Sequence, residues 1–152
     1  MRRSILSFGL FQAVLLAAAP PLAVKGPAKW VQCVAFSPDG KRVVAGNDEG
    51  RLWVVNAVTS KTVLECKGML TAPTAVAWSH DGRSLAVGDW SGVVTVREAR
   101  SGKVQALWRG HKENVTSIRF SADDHYLATG SGDDTAKVWS VKGGEPLLTL
   151  EQ

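Results

Sequence analysis

A unit of 42 residues recurs three times without a gap, and no other property of the chain restricts its fold as severely. Ser37-Pro38-Asp39-Gly40 returns as Ser79-His80-Asp81-Gly82 and as Ser121-Ala122-Asp123-Asp124, offset by 42 both times. In the same register Gly26, Gly68 and Gly110 align, each preceded by a basic residue, Lys25, Lys67 or Arg109. Phe36, Trp78 and Phe120 stand just ahead of the repeated turn. Gly46, Gly88 and Gly130 follow it, and then Val54, Val96 and Val138. A period of this length marks a supersecondary unit that cannot bury its apolar face alone and stacks on its neighbours.

Each unit reads as four short strands. In the third copy they fall at about 115–120, 126–130, 135–140 and 146–150, rich in β-branched or apolar residues and bounded by turn residues. Ser-Pro-Asp-Gly suits a tight turn: proline presets φ, Asp bonds back to the backbone, and Gly tolerates positive φ. The second turn is Asn47-Asp48-Glu49-Gly50, Asp89-Trp90-Ser91-Gly92 or Ser131-Gly132-Asp133-Asp134. The third is Thr59-Ser60-Lys61, Arg100-Ser101-Gly102-Lys103 or Lys142-Gly143-Gly144. Connections this short predict an antiparallel meander, the blade of a propeller. The expected class is therefore all-β, with three blades, each a four-stranded antiparallel sheet.

On these residues the unit resembles the WD-repeat family of β-propellers. The third copy matches best, with Gly110-His111 at its start, Thr129 in the second strand, Asp133 in the next turn and Trp139 closing the third strand. The resemblance implies that His111, Thr129, Asp133 and Trp139 form a structural hydrogen-bonded set inside the blade. Buried indole and imidazole nitrogens need partners, so the set is chemically reasonable. The other copies depart from it. Met69 and Pro27 stand in phase with His111, Ser91 and Glu49 with Asp133, and Arg97 and Val55 with Trp139. Those departures affect rigidity before they affect fold. The units run at about 26–67, 68–109 and 110–152, within a repeat region of 24–152.

Three blades are fewer than the roughly 4–8 with which propellers close. The next glycine in phase would stand at 152, where Gln152 is found. The expectations are a partial product of a longer propeller, self-association in which two copies close six blades, or pairing with another propeller chain. Pro20 to Lys25 aligns with Thr62 to Lys67, so Leu22 and Val24 are expected to supply an outer strand to another blade.

Residues 1–23 read as a signal or targeting segment. Arg2 and Arg3 precede an apolar stretch over 5–19 that ends in three alanines. Pro20 disfavours cleavage directly after Ala19, so a cut after Ala23 fits better. Export to a periplasmic or extracellular space is the expectation, with a cytoplasmic location as the alternative, and membrane attachment only if the segment stays uncleaved. The run is short of the ~20 residues that a comfortable span needs.

The net charge of +4 includes Arg2 and Arg3, and the remaining basic residues are interleaved with acids. No basic run tracks a phosphate backbone, so nucleic acid is not an expected partner. Cys33 and Cys66 lie in apolar strand segments and are expected as buried free thiols, paired only if the chain is exported. No catalytic residue, metal site or cofactor is expected. Ser79, His80 and Asp81 have triad residue types, but neighbours in sequence cannot face one another as a triad requires. Asp123, Asp124, His125, Asp133 and Asp134 match no calcium loop.

The tryptophans remain. Trp78 shares a core position with Phe36 and Phe120. Trp108 is in phase with Cys66 and is expected to cover a blade edge. Trp53 is in phase with Thr95 and Lys137, a half-exposed or inter-blade position. Trp30 and Trp90 fall on the side of the blade that carries His111 and Asp133, which in the resembled family commonly binds partners. Trp30, Trp90, Lys112 and Asn114 are thus a candidate partner surface; the competing expectation is that each Trp packs on a neighbouring blade. The function these features imply is a non-catalytic protein-interaction scaffold. Alternatives are a small-molecule or glycan-binding propeller, or a truncated remnant of a longer propeller protein.

Overall fold

The computed structural model describes residues 30–66 and 68–151. The targeting segment of 1–23 and the strand expected around Leu22 and Val24 lie outside the described residues. Twelve strands form three four-stranded antiparallel sheets in simple meander order. The first holds β1 (Val31–Phe36), β2 (Arg42–Asn47), β3 (Leu52–Asn56) and β4 (Thr62–Cys66). The second holds β5 (Pro73–Trp78), β6 (Ser84–Asp89), β7 (Val93–Glu98) and β8 (Val104–Arg109). The third holds β9 (Val115–Phe120), β10 (Tyr126–Ser131), β11 (Thr135–Ser140) and β12 (Leu148–Glu151). The all-β blade architecture read from the repeat is the one the chain adopts. The last strand is displaced: 146–150 was expected, and Leu148–Glu151 is found, because the Gly143-Gly144 turn runs on through Pro146.

The repeated turn is built the same way each time. The Ser37 hydroxyl bonds the Asp39 carboxylate at 2.6 Å and accepts the Arg42 amide at 2.9 Å. Ser79 repeats this with Asp81 and Ser84, and Ser121 with Asp123 and Tyr126. The fourth position has positive φ throughout: Gly40 at 67°, Gly82 at 70° and Asp124 at 58°. The serine and aspartate are thus turn chemistry, as the repeat position argued.

The sheets stack through two cores, and the second is the first moved by one repeat. Cys33, Val44, Leu52, Val54 and Cys66 face Trp78, Leu85 and Val87 between sheets one and two. Ala75, Ala86, Val94, Val96 and Trp108 face Phe120, Leu127 and Trp139 between sheets two and three. Stacking explains why glycine recurs in the second strand. A Cβ on Gly46 would lie 2.6 Å from Pro73 Cγ, and one on Gly88 2.4 Å from Val115 Cγ1. The inner strand of each following sheet occupies the space a side chain would take. Within the stack, the Trp78 indole donates to the Ala35 carbonyl at 3.3 Å, and the Arg42 guanidinium lies 4.6 Å above the Trp78 ring.

Cys33 and Cys66 are free and buried. They lie on the first and last strands of one sheet, three strand spacings or roughly 14 Å apart. A disulfide needs Cα atoms within about 7 Å, so the pairing contemplated for an exported chain is excluded by topology. Burial pushes the Cys33 thiol up to about 11, despite a backbone hydrogen bond at Gly46. Trp53, expected half-exposed or between blades, is buried.

Candidate interaction surface

One end of the stack is assembled from the segments ahead of each inner strand and the second turn of each sheet. The Asp48 amide donates to the Trp30 carbonyl at 3.2 Å, Trp90 to Ala72 at 2.9 Å, and Gly132 to Asn114 at 2.9 Å. These equivalent bonds bring Trp30, Trp90, Lys112 and Asn114 to the same end. Trp30 is 68% and Trp90 64% exposed, so these indoles do not pack into a neighbouring sheet. Lys112 is exposed and Asn114 half-buried. Leu70, 69% exposed, joins them. Sequence reasoning missed it, although an apolar residue in phase with Lys112 was the available signal.

The turn that carries Trp90 is held firmly. Asp89 Oδ1 accepts the Ser91 amide at 2.9 Å, the Ser91 hydroxyl at 2.8 Å and the Val93 amide at 3.0 Å. Gly92, at φ 80°, presses against the next linker; a Cβ there would lie 2.5 Å from the His111 carbonyl and 2.7 Å from that of Glu113. An aromatic side chain on a braced backbone loses little freedom on contact, as interface anchors require.

Beneath Lys112 the four residues expected as a polar set do come together. The Trp139 indole donates to Thr129 Oγ1 at 2.8 Å, and His111 Nε2 lies 2.8 Å from the same oxygen. His111 Nδ1 lies 3.1 Å from Asp133 Oδ2. The carboxylate only accepts, so Nδ1 carries a proton. In the neutral ring Nε2 then accepts the Thr129 hydroxyl, and every donor has one acceptor. Thr135, unremarked in the sequence, adds its hydroxyl to Asp133 Oδ1 at 2.7 Å. Burial alone would raise the Asp133 carboxyl. The Thr135 hydroxyl, the Lys112 amide, His111 and the Thr135 amide outweigh it and hold Asp133 well below the ordinary carboxylate value. The Lys112 amide bonds Asp133 Oδ2 at 2.8 Å, so the buried set positions the backbone of a candidate surface residue.

The other sheets solve the same positions differently. Arg97, where Trp139 stands in the third sheet, is buried; its Nη1 donates to the Gly102 carbonyl at 3.2 Å and its Nη2 to Met69 Sδ at 3.3 Å. Asn47 replaces Asp89 as the turn cap and accepts the Arg51 amide at 2.8 Å. Ser79, His80 and Asp81 do not converge: Ser79 and Asp81 cap their own turn, and His80 turns to Asp124 of the next sheet. Asp123 caps its turn and Asp133 serves His111, so the acidic residues of the third unit are divided among separate tasks.

The chain matches the family model of the WD domain, G-beta repeat three times, over residues 20–56, 60–97 and 102–140. The second and third matches run from the outer strand of one sheet through the third strand of the next. No curated protein sequence matches significantly. Among solved structures, U3-55K superposes with a TM-score of 0.80 at 23% identity, covering 85% of this chain and 41% of that one. The crystal structure of the RRP9 WD40 repeats gives 0.79, also at 23% identity, with the same coverage of 85% and 41%. The chain therefore spans about two fifths of each, and at this identity the likeness is one of fold. With the repeat model matched across most of its length, this chain belongs to the WD domain, G-beta repeat family.

Proposed function

We propose that the chain is a non-catalytic interaction scaffold that presents the end carrying Trp30, Leu70, Trp90, Lys112 and Asn114 to a protein partner. The observation that carries this reading is the pair of indoles, each about two-thirds exposed, on backbone pinned by hydrogen bonds to the same end of the stack. Exposed tryptophans on rigid turns are the residue type that dominates binding energy at interfaces. The test is site-specific photo-crosslinking from position 112, with position 58 at an exposed third turn as the control. Adducts specific to position 112, lost on competition with unlabelled protein but not with a Trp90→Ala form, support the reading. Equal labelling from both positions overturns it.

A second reading, self-association of sheet faces, rests on one comparison. Phe36 is 66% exposed, whereas Trp78 and Phe120, at the same position, are 8% and 9% exposed against the preceding sheet. Light scattering on the full chain tests it: a dimer that Phe36→Asp returns to monomer supports closure by copies.

A further inference from the structure

Under the linker at 68–70, in the place where the third sheet has its polar set, the second sheet has a cavity of about 70 Å³. Val87 replaces the hydroxyl of Thr129, Met69 replaces His111 and Arg97 replaces Trp139. Arg97 is 4% exposed and lines this cavity with Thr95 and Asp89, both buried. Leu70, Val104 and Leu107 line it too, all three exposed, and give it an apolar rim.

A guanidinium out of water needs an anion or a full set of acceptors. Arg97 has neither. Among the described residues no carboxylate forms an ion pair with it. One of its acceptors is a peptide carbonyl, the other a thioether, which is a weak acceptor. Its Nε has no partner, nor has the neighbouring Thr95 hydroxyl. The arrangement of what is used matters. Nη1 is committed to Gly102, while Nε and Nη2 are the two nitrogens whose hydrogens point the same way. That side of the guanidinium, the fork that takes a carboxylate through two parallel bonds, is held only by Met69 Sδ. Met69 is half-buried in the linker, and its unbranched side chain can swing out. Asp89 lines the same cavity, its Oδ1 engaged with Ser91 and Val93, and its carboxylate makes no ion pair with Arg97.

We infer that this cavity is a binding site for an alkyl carboxylate, which displaces the Met69 thioether and takes Arg97 Nε and Nη2 as a bidentate pair under the apolar rim. It lies below the end surface and does not depend on the reading given to Trp30 and Trp90.

Nitrogen-detected NMR of arginine Nε–H groups on the full chain tests it, with sodium acetate and sodium butyrate titrated against sodium chloride at equal ionic strength. The expected result is a saturable shift of the Arg97 Nε–H signal with both acids and none with chloride, butyrate binding more tightly because its alkyl chain meets Leu70 and Leu107. Met69→Ala, which leaves the guanidinium intact and opens the fork, tightens acetate binding. Arg97→Lys, which keeps the charge without the fork, weakens it by about tenfold or more. Capped Leu-Glu-Leu and Leu-Gln-Leu peptides separate the sources: binding of the first alone assigns a partner's acidic side chain, and binding of the free acids alone assigns a small metabolite. An Arg97 signal that ignores acetate, or responds equally to chloride, overturns the site and leaves a guanidinium satisfied through trapped water toward Asp89.

Discussion

Asp124 of the third sheet reaches back to the turn at His80 in the second. It accepts the His80 amide at 2.8 Å, the His80 Nδ1–H at 2.9 Å and the Asp81 amide at 2.9 Å. It does so from a left-handed conformation, φ 58°, where the other two repeats have glycine. Asp124→Gly therefore sets two effects against each other. Relief of the backbone gains about 1 kcal/mol, and loss of three hydrogen bonds to a charged acceptor that is only partly shielded costs roughly 2–4 kcal/mol. The expected outcome is a net destabilisation of about 1–3 kcal/mol, read as a lower urea midpoint, although the substitution restores the repeat. A midpoint at or above wild type would show that the bonds across the sheets contribute nothing.

The same carboxylate and that of Asp133 predict a pH response. Asp124 is held below its ordinary value of 3.8: burial opposes, and the His80 amide, the His80 ring and the Asp81 amide outweigh it. Asp133 is displaced the same way and further. A carboxyl whose folded value lies below its unfolded one binds fewer protons when folded. Its stabilisation is complete above the unfolded value and disappears as pH falls through the folded one. Stability should thus be level from about pH 5 to 7 and decline below about pH 4. Asp133→Asn should be less stable at pH 7 and should show a shallower acid limb. Parallel acid limbs in wild type and variant would remove Asp133 from the account.

Thr129 joins one buried donor and one buried acceptor at a single oxygen, and this makes a sharp comparison possible. Thr129→Val keeps the shape but leaves the Trp139 Nε1–H and His111 Nε2 unpaired. Each buried unpaired group costs about 1–3 kcal/mol, so a loss of roughly 2–4 kcal/mol is expected. Thr129→Ser keeps the oxygen and loses one methyl, for about 1 kcal/mol. Denaturant unfolding followed by tryptophan fluorescence orders the two. Equal losses would mean that the methyl, not the hydroxyl, holds the blade together.

What was legible in the residues followed the period. Strand positions, turn chemistry and the polar set all repeat or match a pattern, so His111, Thr129, Asp133 and Trp139 were placed before any geometry. Unrepeated relationships were not legible. Asp124 was read only as the last residue of the repeated turn and one of an acidic group, because its partners are 44 and 43 positions away, in another sheet. Leu70 was signalled only by an apolar side chain in phase with Lys112, and its place at the surface rests on its 69% exposure. Trp108 read as an edge cover; it is buried and packs against Trp139, the rings tilted with centroids 5.9 Å apart. Gly88 read as part of the pattern without a reason, which is the closeness of Val115.

The second sheet offers the strongest test of whether the polar set is a unit. Met69→His, Val87→Thr, Ser91→Asp and Arg97→Trp transplant it in register. The glycine it needs is present: a Cβ on Gly110 would lie 2.3 Å from the Trp139 ring, and Gly68 holds the equivalent place. Taken singly, Val87→Thr buries an unpaired hydroxyl and should cost about 1–3 kcal/mol. Arg97→Trp alone leaves its indole nitrogen facing Val87, and should recover less than its added contact area implies. Together the four satisfy one another, fill the cavity and remove a buried unpaired cation. The quadruple variant should exceed the sum of the singles by about 1–3 kcal/mol, a coupling of the size found for residues in one network. It should also lose any response of this site to acetate, since the fork is gone. Additive single effects, measured by urea unfolding of wild type, the four single variants and the quadruple, would mean that the set in the third sheet is four separate contacts and not a network.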